Sequence, residues 1–271
     1  MNNQHPEDYS YSDPGDSESN VSWASPHQQK PVPPQVSKPR PPLPLVTYTL
    51  MGLAIAVYLL QMLTQSVFGV DVPAQLGMKI NQLIAQGEVW RLITPVLLHG
   101  SIIHIAFNMY ALYLFGPRLE SSFGRWRFLA LYLIGGFAGN VFSMMFTDAA
   151  SLGSSTAIFG LLGAQGVFIY HNRKIFGEQV SKASLSRIIQ VAVINLIIGL
   201  SPGIDNWGHI GGLLGGIIFT WLGGPLLEVQ GIHPHHHLVD RRETAQIIQA
   251  GVVAAGFFLL LAIGAVVLVN R

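Results

Sequence analysis

LITPVLLHGSIIHIAFNMYALYLFGP, residues 92–117, runs twenty-six positions without a charge. A bilayer span needs about 17–25 apolar residues, so this stretch reads as a helix crossing a membrane. It also carries His99, His104 and Asn108. Hydrogen-bonding side chains are costly in lipid, which makes those inside a span functional candidates, with packing contacts as the plainer alternative. Six further uncharged stretches lie at 41–70, 128–147, 149–172, 188–204, 206–227 and 244–270. The expected fold is therefore an all-α polytopic membrane protein with seven spans. The stretch 188–204 is the shortest, and it is counted because omitting it inverts every later loop.

Composition agrees. Of 271 residues, 50% are hydrophobic and 11% charged, against about 25% charged in a soluble domain. That shortfall argues against a soluble enzyme and against a disordered chain. A net charge of +1 shows none of the basic excess of a nucleic-acid binder, so no nucleic-acid partner is expected. The absence of cysteine excludes disulfide scaffolds, thiolate metal sites and a Cys nucleophile.

Lysine and arginine set the expected orientation. With the N-terminus inside and seven crossings, twelve of the fifteen lie in inside segments, and only Lys79, Arg91 and Arg271 lie outside. The C-terminus is then external. Four segments follow: a disordered, Pro-rich cytoplasmic tail (1–43), a six-span core (44–227), a cytoplasmic linker (228–248) and a seventh span (249–271). The linker holds His233, His235, His236 and His237, read as a solvated loop able to take up zinc or nickel adventitiously. Within the first external loop, 74–84 is a short amphipathic stretch. No signal or transit peptide is read at the N-terminus, and the expected location is a bacterial plasma membrane.

Spans two, four and six all run from outside to inside. His99, His104, Ser155 and His209 fall in the outer parts of these spans, so three helices bring polar residues to one depth. His104 and Asn108 are four apart and share a helix face. A serine hydroxyl is a poor nucleophile until a base takes its proton, and histidine is the usual base. Ser155 follows Gly153 where a loop enters a helix, and a helix N-terminus offers free N–H groups to an oxyanion. No Asp or Glu lies in the seven runs, so a Ser-His dyad is the most that they supply. Gly208, Gly212 and Gly216 on span six, with Gly160 and Ala164 on span four, allow close helix approach in lipid. Taken alone, Ser155 reads as a helix cap and His209 as a buried structural histidine. Three membrane histidines also admit a haem or metal site.

The whole pattern resembles the rhomboid intramembrane serine proteases. The matching residues run in order over about 44–225: Gly87-Glu88-Val89-Trp90-Arg91, then His99 and His104-Ile105-Ala106-Phe107-Asn108, then Gly153-Ser154-Ser155 with Ala157-Ile158-Phe159-Gly160, and Gly208-His209-Ile210-Gly211-Gly212. The resemblance implies a six-helix core, here with one added C-terminal helix, and a protease that uses neither metal nor cofactor. It implies Ser155 as nucleophile and His209 as general base. It implies His104, Asn108 and the Ser155 N–H as oxyanion donors, and Phe159 as a ring stacked on the catalytic histidine. Trp90 and Arg91 match the structural motif of the first external loop, and His99 a supporting histidine. The implied partners are the lipid bilayer and transmembrane substrates cut near their outer ends. The family pattern GxSG is broken by Thr156, whose branched side chain stands beside the expected oxyanion site. Two other classes stand beside this reading: an inactive rhomboid-like protein that binds transmembrane clients, and a small transporter, which the lack of a half-chain repeat or intramembrane carboxylate disfavours. Oligomeric state and substrates are not legible.

Overall fold

The computed structural model describes residues 43–231 and 237–269. The tail expected at 1–43, save Leu43, lies outside them, as do His233, His235 and His236. The chain begins with α1 (Leu45–Phe68), the short α2 (Val72–Gly77) and α3 (Asn81–Ala85), and two 3-10 turns at Val89–Leu92 and Thr94–Leu97. The long helices α4 (Ile102–Phe123), α5 (Arg125–Phe146) and α6 (Ser155–His171) follow. After them come α7 (Arg173–Phe176), α8 (Glu178–Ile198), α9 (Asn206–Gly223), strands β1 (Leu227–Gln230) and β2 (His237–Asp240), and α10 (Thr244–Val269).

Each of the seven expected spans overlaps one long helix, with the start displaced by ten residues at 92–117 (α4, Ile102–Phe123) and 188–204 (α8, Glu178–Ile198). Four of these, Leu45–Phe68, Arg125–Phe146, Glu178–Ile198 and Thr244–Val267, are long and apolar enough to cross a membrane by length and composition alone. Two of the others, α6 and α9, are packed inside the bundle, and with α4 they carry the candidate site residues. The fold is an all-α polytopic membrane fold with one small addition. β1 and β2 pair antiparallel, from Leu227 opposite Asp240 to Gln230 opposite His237. The linker expected at 228–248 is thus a hairpin, and its end belongs to α10, which starts at Thr244 rather than 249. Asp240 fastens the hairpin to the bundle by a 2.8 Å ion pair with Arg127 of α5.

Helices α5, α6 and α9 form the centre because their facing residues are small. A side chain on Gly160 of α6 would lie 2.9 Å from the Gly135 Cα of α5 and 3.2 Å from the Gly212 oxygen of α9. One on Gly216 would collide with the Gly160 carbonyl. Without a hydrophobic drive between helices in lipid, such close backbone approach supplies the dispersion contacts that hold the bundle. Phe128, Leu131, Tyr132, Leu161 and Phe219 fill the remaining space and are fully buried. Around this centre α1 docks on α4 through a carboxylate. Glu120 accepts from the Val46 and Thr47 backbone N–H groups at 2.9 and 2.8 Å and from the Thr47 hydroxyl at 2.8 Å. The first turn of α1 has no cap of its own, so Glu120 satisfies donors that every helix start leaves unpaired. Helix α8 is the least embedded long helix, with only Ser181 and Ala192 buried. It starts at Glu178, ten residues before the apolar run, so the span that looked short is a 21-residue helix.

Candidate active site

Ser155 is the first residue of α6. The cap position before it is Ser154, whose side chain makes no capping bond, so the helix-cap reading of Ser155 does not hold. Gly153 is held at φ +135°, a conformation that side-chain-bearing residues rarely adopt, and a Cβ there would lie 2.8 Å from the His104 ring. Glycine therefore permits both the turn into α6 and the approach of His104. The half-buried Ser155 is left at the tip of the helix, where first-turn N–H groups have no intrahelical partner.

His209 is the fourth residue of α9 and is buried. Its Nε2 lies 3.0 Å from Ser155 Oγ, within the range needed for proton transfer. Phe159, one turn down α6, stacks on its ring with centroids 4.3 Å apart and planes 8° apart. Asp205 caps α9 through Oδ1, which accepts from Gly208 N at 2.9 Å, while its carbonyl accepts from His209 N at 3.2 Å. Yet Asp205 Oδ2 and His209 Nδ1 are both buried without a partner among the described residues. Among the described residues no carboxylate orients the ring, and Ser155 and His209 stand as a pair.

On α4, His104 stands in the first turn, and its N–H donates to the Ser101 cap Oγ at 3.1 Å. One turn further, Asn108 is buried with its Nδ2 donor unpaired. A buried amide without an acceptor costs about 1–3 kcal/mol, so this donor is free to take one. Thr156 does not disturb this arrangement. Its side chain fills the space left by Gly139 and Gly208, whose hypothetical Cβ atoms would lie 2.6 and 3.0 Å from it. It is directed between α5 and α9.

The supporting residues act through the loops. His99 lies outside the helix expected for 92–117, because Pro95 and the 3-10 turn precede it and α4 begins only at Ile102. Its Nε2 sits 3.2 Å from Ser154 Oγ. Its backbone is clasped by Gln61 of α1, with Oε1 accepting at 3.0 Å and Nε2 donating at 3.2 Å. Arg91 is buried and donates to the Met78 and Gln75 carbonyls at 2.9 and 2.8 Å and to Glu88 at 2.7 Å. Trp90 is half exposed and donates to the Leu76 carbonyl at 3.0 Å. This loop meets the segment leading to Ser155. Lys79 and Ser151 exchange backbone bonds of 2.9 and 3.1 Å, Lys79 Nζ donates to the Thr147 carbonyl, and Gly153 N donates to the Pro95 carbonyl.

Sequence reasoning missed Gln61, Lys79 and Asp205. Gln61 was readable as an amide inside the apolar run 41–70. Asp205 was readable as an N-cap three residues before Gly208. Lys79 carried no local signal.

A model of the rhomboid domain matches residues 86–226. The chain belongs to the rhomboid family. It is 41% identical over 174 residues to rhomboid protease GluP of Bacillus subtilis, covering 64% of this chain and 34% of that protein. RHOMBOID-like protein 4 of Arabidopsis thaliana is 36% identical over 167 residues, 61% of this chain and 40% of its own length. Mitochondrial RHOMBOID-like protein 6 of the same plant is 43% identical over 143 residues, 52% and 46% respectively. The rhomboid chain thus spans between a third and a half of the length of these relatives.

Proposed function

We propose that this rhomboid protein is an intramembrane serine endopeptidase. The observation that carries the reading is the 3.0 Å approach of His209 Nε2 to Ser155 Oγ at the ends of two helices held together by glycine. Ser155 attacks the scissile carbonyl while His209 takes its proton. His209 then delivers that proton to the leaving amine, and water hydrolyses the acyl-enzyme by the same route in reverse. His104, Asn108 and the Ser155 N–H donate to the oxyanion. Stacking on Phe159 fixes the ring in place of the absent carboxylate. The substrates are transmembrane segments of other proteins, cut near the external face. The excess of Lys and Arg in the inside segments supports a cytoplasmic N-terminus and an external C-terminus, and the plasma membrane of a bacterium is the proposed location.

The test is co-reconstitution of the purified full chain with a panel of single-span proteins bearing small residues near their outer ends. The wild type should cleave some of them. Ser155→Ala and His209→Ala should cleave none while unfolding at the wild-type temperature. Cleavage by both variants refutes the dyad. A well-folded wild type that binds the panel without cutting it favours the client-binding alternative.

A further inference from the structure

Far from Ser155, α4, α6, α7 and α8 line a half-open cavity of about 320 Å³, with Arg118 and Val180 exposed at its rim. Its walls include Arg118 and Ser122 of α4, Gln165 and Phe168 of α6, and Val180 and Ser184 of α8. Gln165 is ten residues beyond Ser155, which places it about 15 Å further along α6 at 1.5 Å per residue. The cavity is therefore separate from the dyad and lies toward the opposite end of the bundle.

Ser122 Oγ donates to the Arg118 carbonyl and Ser181 Oγ to the Arg173 carbonyl, but the Arg118 guanidinium and the Gln165 oxygen have no such partner among the described residues. The ion pairs among the described residues are Arg91–Glu88, Arg127–Asp240 and Arg241–Glu228, and none involves Arg118. Glu120, two residues away, is committed to the first turn of α1. Gln165 Oε1 is buried without a donor. No acidic residue lines the cavity, and Phe168 and Val180 give it an apolar wall. Arg173 and Lys174 on α7 and Lys182 in the second turn of α8 stand at the same end. A guanidinium and a serine hydroxyl suit a phosphate, and the orphaned Gln165 oxygen suits a hydroxyl donor close to it. Basic pockets between membrane helices on the positively flanked side are sites for anionic lipid headgroups.

We propose that this cavity binds the headgroup of an anionic phospholipid bearing a free hydroxyl, of the phosphatidylglycerol type. Arg118 and Ser184 hold the phosphate, and Gln165 accepts from the headgroup hydroxyl. The acyl chains leave along Phe168 and Val180 into the bilayer. Occupancy joins α8, which buries little surface of its own, to α4 and α6.

The test uses the full chain carrying Ser155→Ala, purified in detergent, so that it is independent of proteolysis. Binding is read by native mass spectrometry and by thermal unfolding, with phosphatidylglycerol, phosphatidylcholine and inorganic phosphate as separate probes. One phosphatidylglycerol should be retained and should raise the unfolding temperature, whereas the other two should not. Arg118→Gln should weaken retention roughly tenfold, as loss of one charge-assisted hydrogen bond implies. Arg125→Gln, at the same end but outside the cavity, should leave it unchanged. Ser184→Phe, which fills the cavity without removing charge, should also block retention. Equal retention by Arg118→Gln and the parent, equal protection by phosphatidylcholine, or equal protection by inorganic phosphate overturns the proposal.

Discussion

Gly212→Ala tests whether glycine spacing sets the dyad geometry. Gly212 lies one turn below His209 on α9. A Cβ there would collide with the Thr156 carbonyl oxygen, with the carbonyl carbon at 2.8 Å and the Thr156 Cα at 3.2 Å. These are backbone atoms at the start of α6 and cannot swing aside. Ordinary contact begins at 3.4 Å, so the helices must part by at least 0.6 Å at this level. The closer carbonyl oxygen demands more, and carried one turn up the parting stretches the 3.0 Å Ser155–His209 contact to 3.6 Å or beyond, outside hydrogen-bonding range. Overpacking costs about 1–3 kcal/mol, and the better helix propensity of alanine returns up to about 1 kcal/mol. The expected result is a net loss of roughly 1–2 kcal/mol, with serine reactivity down about tenfold to a hundredfold. Gly256→Ala on α10, where nothing lies within 4 Å, should leave the labelling rate unchanged and stability equal or up to about 1 kcal/mol higher. The assay pairs thermal unfolding in detergent with the rate of fluorophosphonate labelling. A Gly212→Ala protein with wild-type stability and a labelling rate within about twofold of wild type would refute the reasoning.

Three other outcomes follow from the geometry. Asn108→Ala should lower turnover about 10²–10³-fold with little change in substrate affinity, since its donor has no ground-state partner; a matching loss in affinity alone would contradict an oxyanion role. Arg91→Ala should destabilise by about 3–5 kcal/mol, because Glu88 and two carbonyls lose a buried charged donor, whereas Trp90→Ala should cost less; equal unfolding temperatures for both would argue against the loop's dependence on Arg91. Lys79 supplies a pH test, since burial pushes its ammonium down to about 8 from 10.5 against the opposing pull of Asp205 and Asp148. Between these values the unfolded chain binds more protons than the folded one, so stability rises with pH across this window, and the penalty is full below it. Lys79→Met should lack that rise, and identical slopes for the two proteins would contradict it.

Much of this was legible because lipid restricts what a sequence can mean. Charge-free runs overlapped every long helix, and polar residues within them singled out Ser155 and His209, which the structure brings to 3.0 Å, together with His104 and Asn108 on α4. The small-residue spacing on α6 and α9 predicted their close approach, which Gly160, Gly212 and Gly216 realise. What escaped notice depends on tertiary contact. His99 looked helical because uncharged runs do not distinguish a helix from the 3-10 turns and loop that Pro95 and Gly100 impose. The 227–240 hairpin has strands of only four residues, too short for a period to emerge. Helix α8 looked short because its first ten residues are polar, and its exposed surface there tolerates them. Glu120, Lys79 and Gln61 are polar residues whose partners lie on other helices or loops, and spacing along one chain segment carries no trace of them.

The central claim is that His209 activates Ser155, and the most direct measurement is fluorophosphonate labelling of the purified chain with the adduct mapped by mass spectrometry. The account predicts a single adduct on Ser155 in the wild type and none in His209→Ala of unchanged unfolding temperature. A folded wild type that does not label, or a His209→Ala variant that labels Ser155 at the wild-type rate, would contradict it.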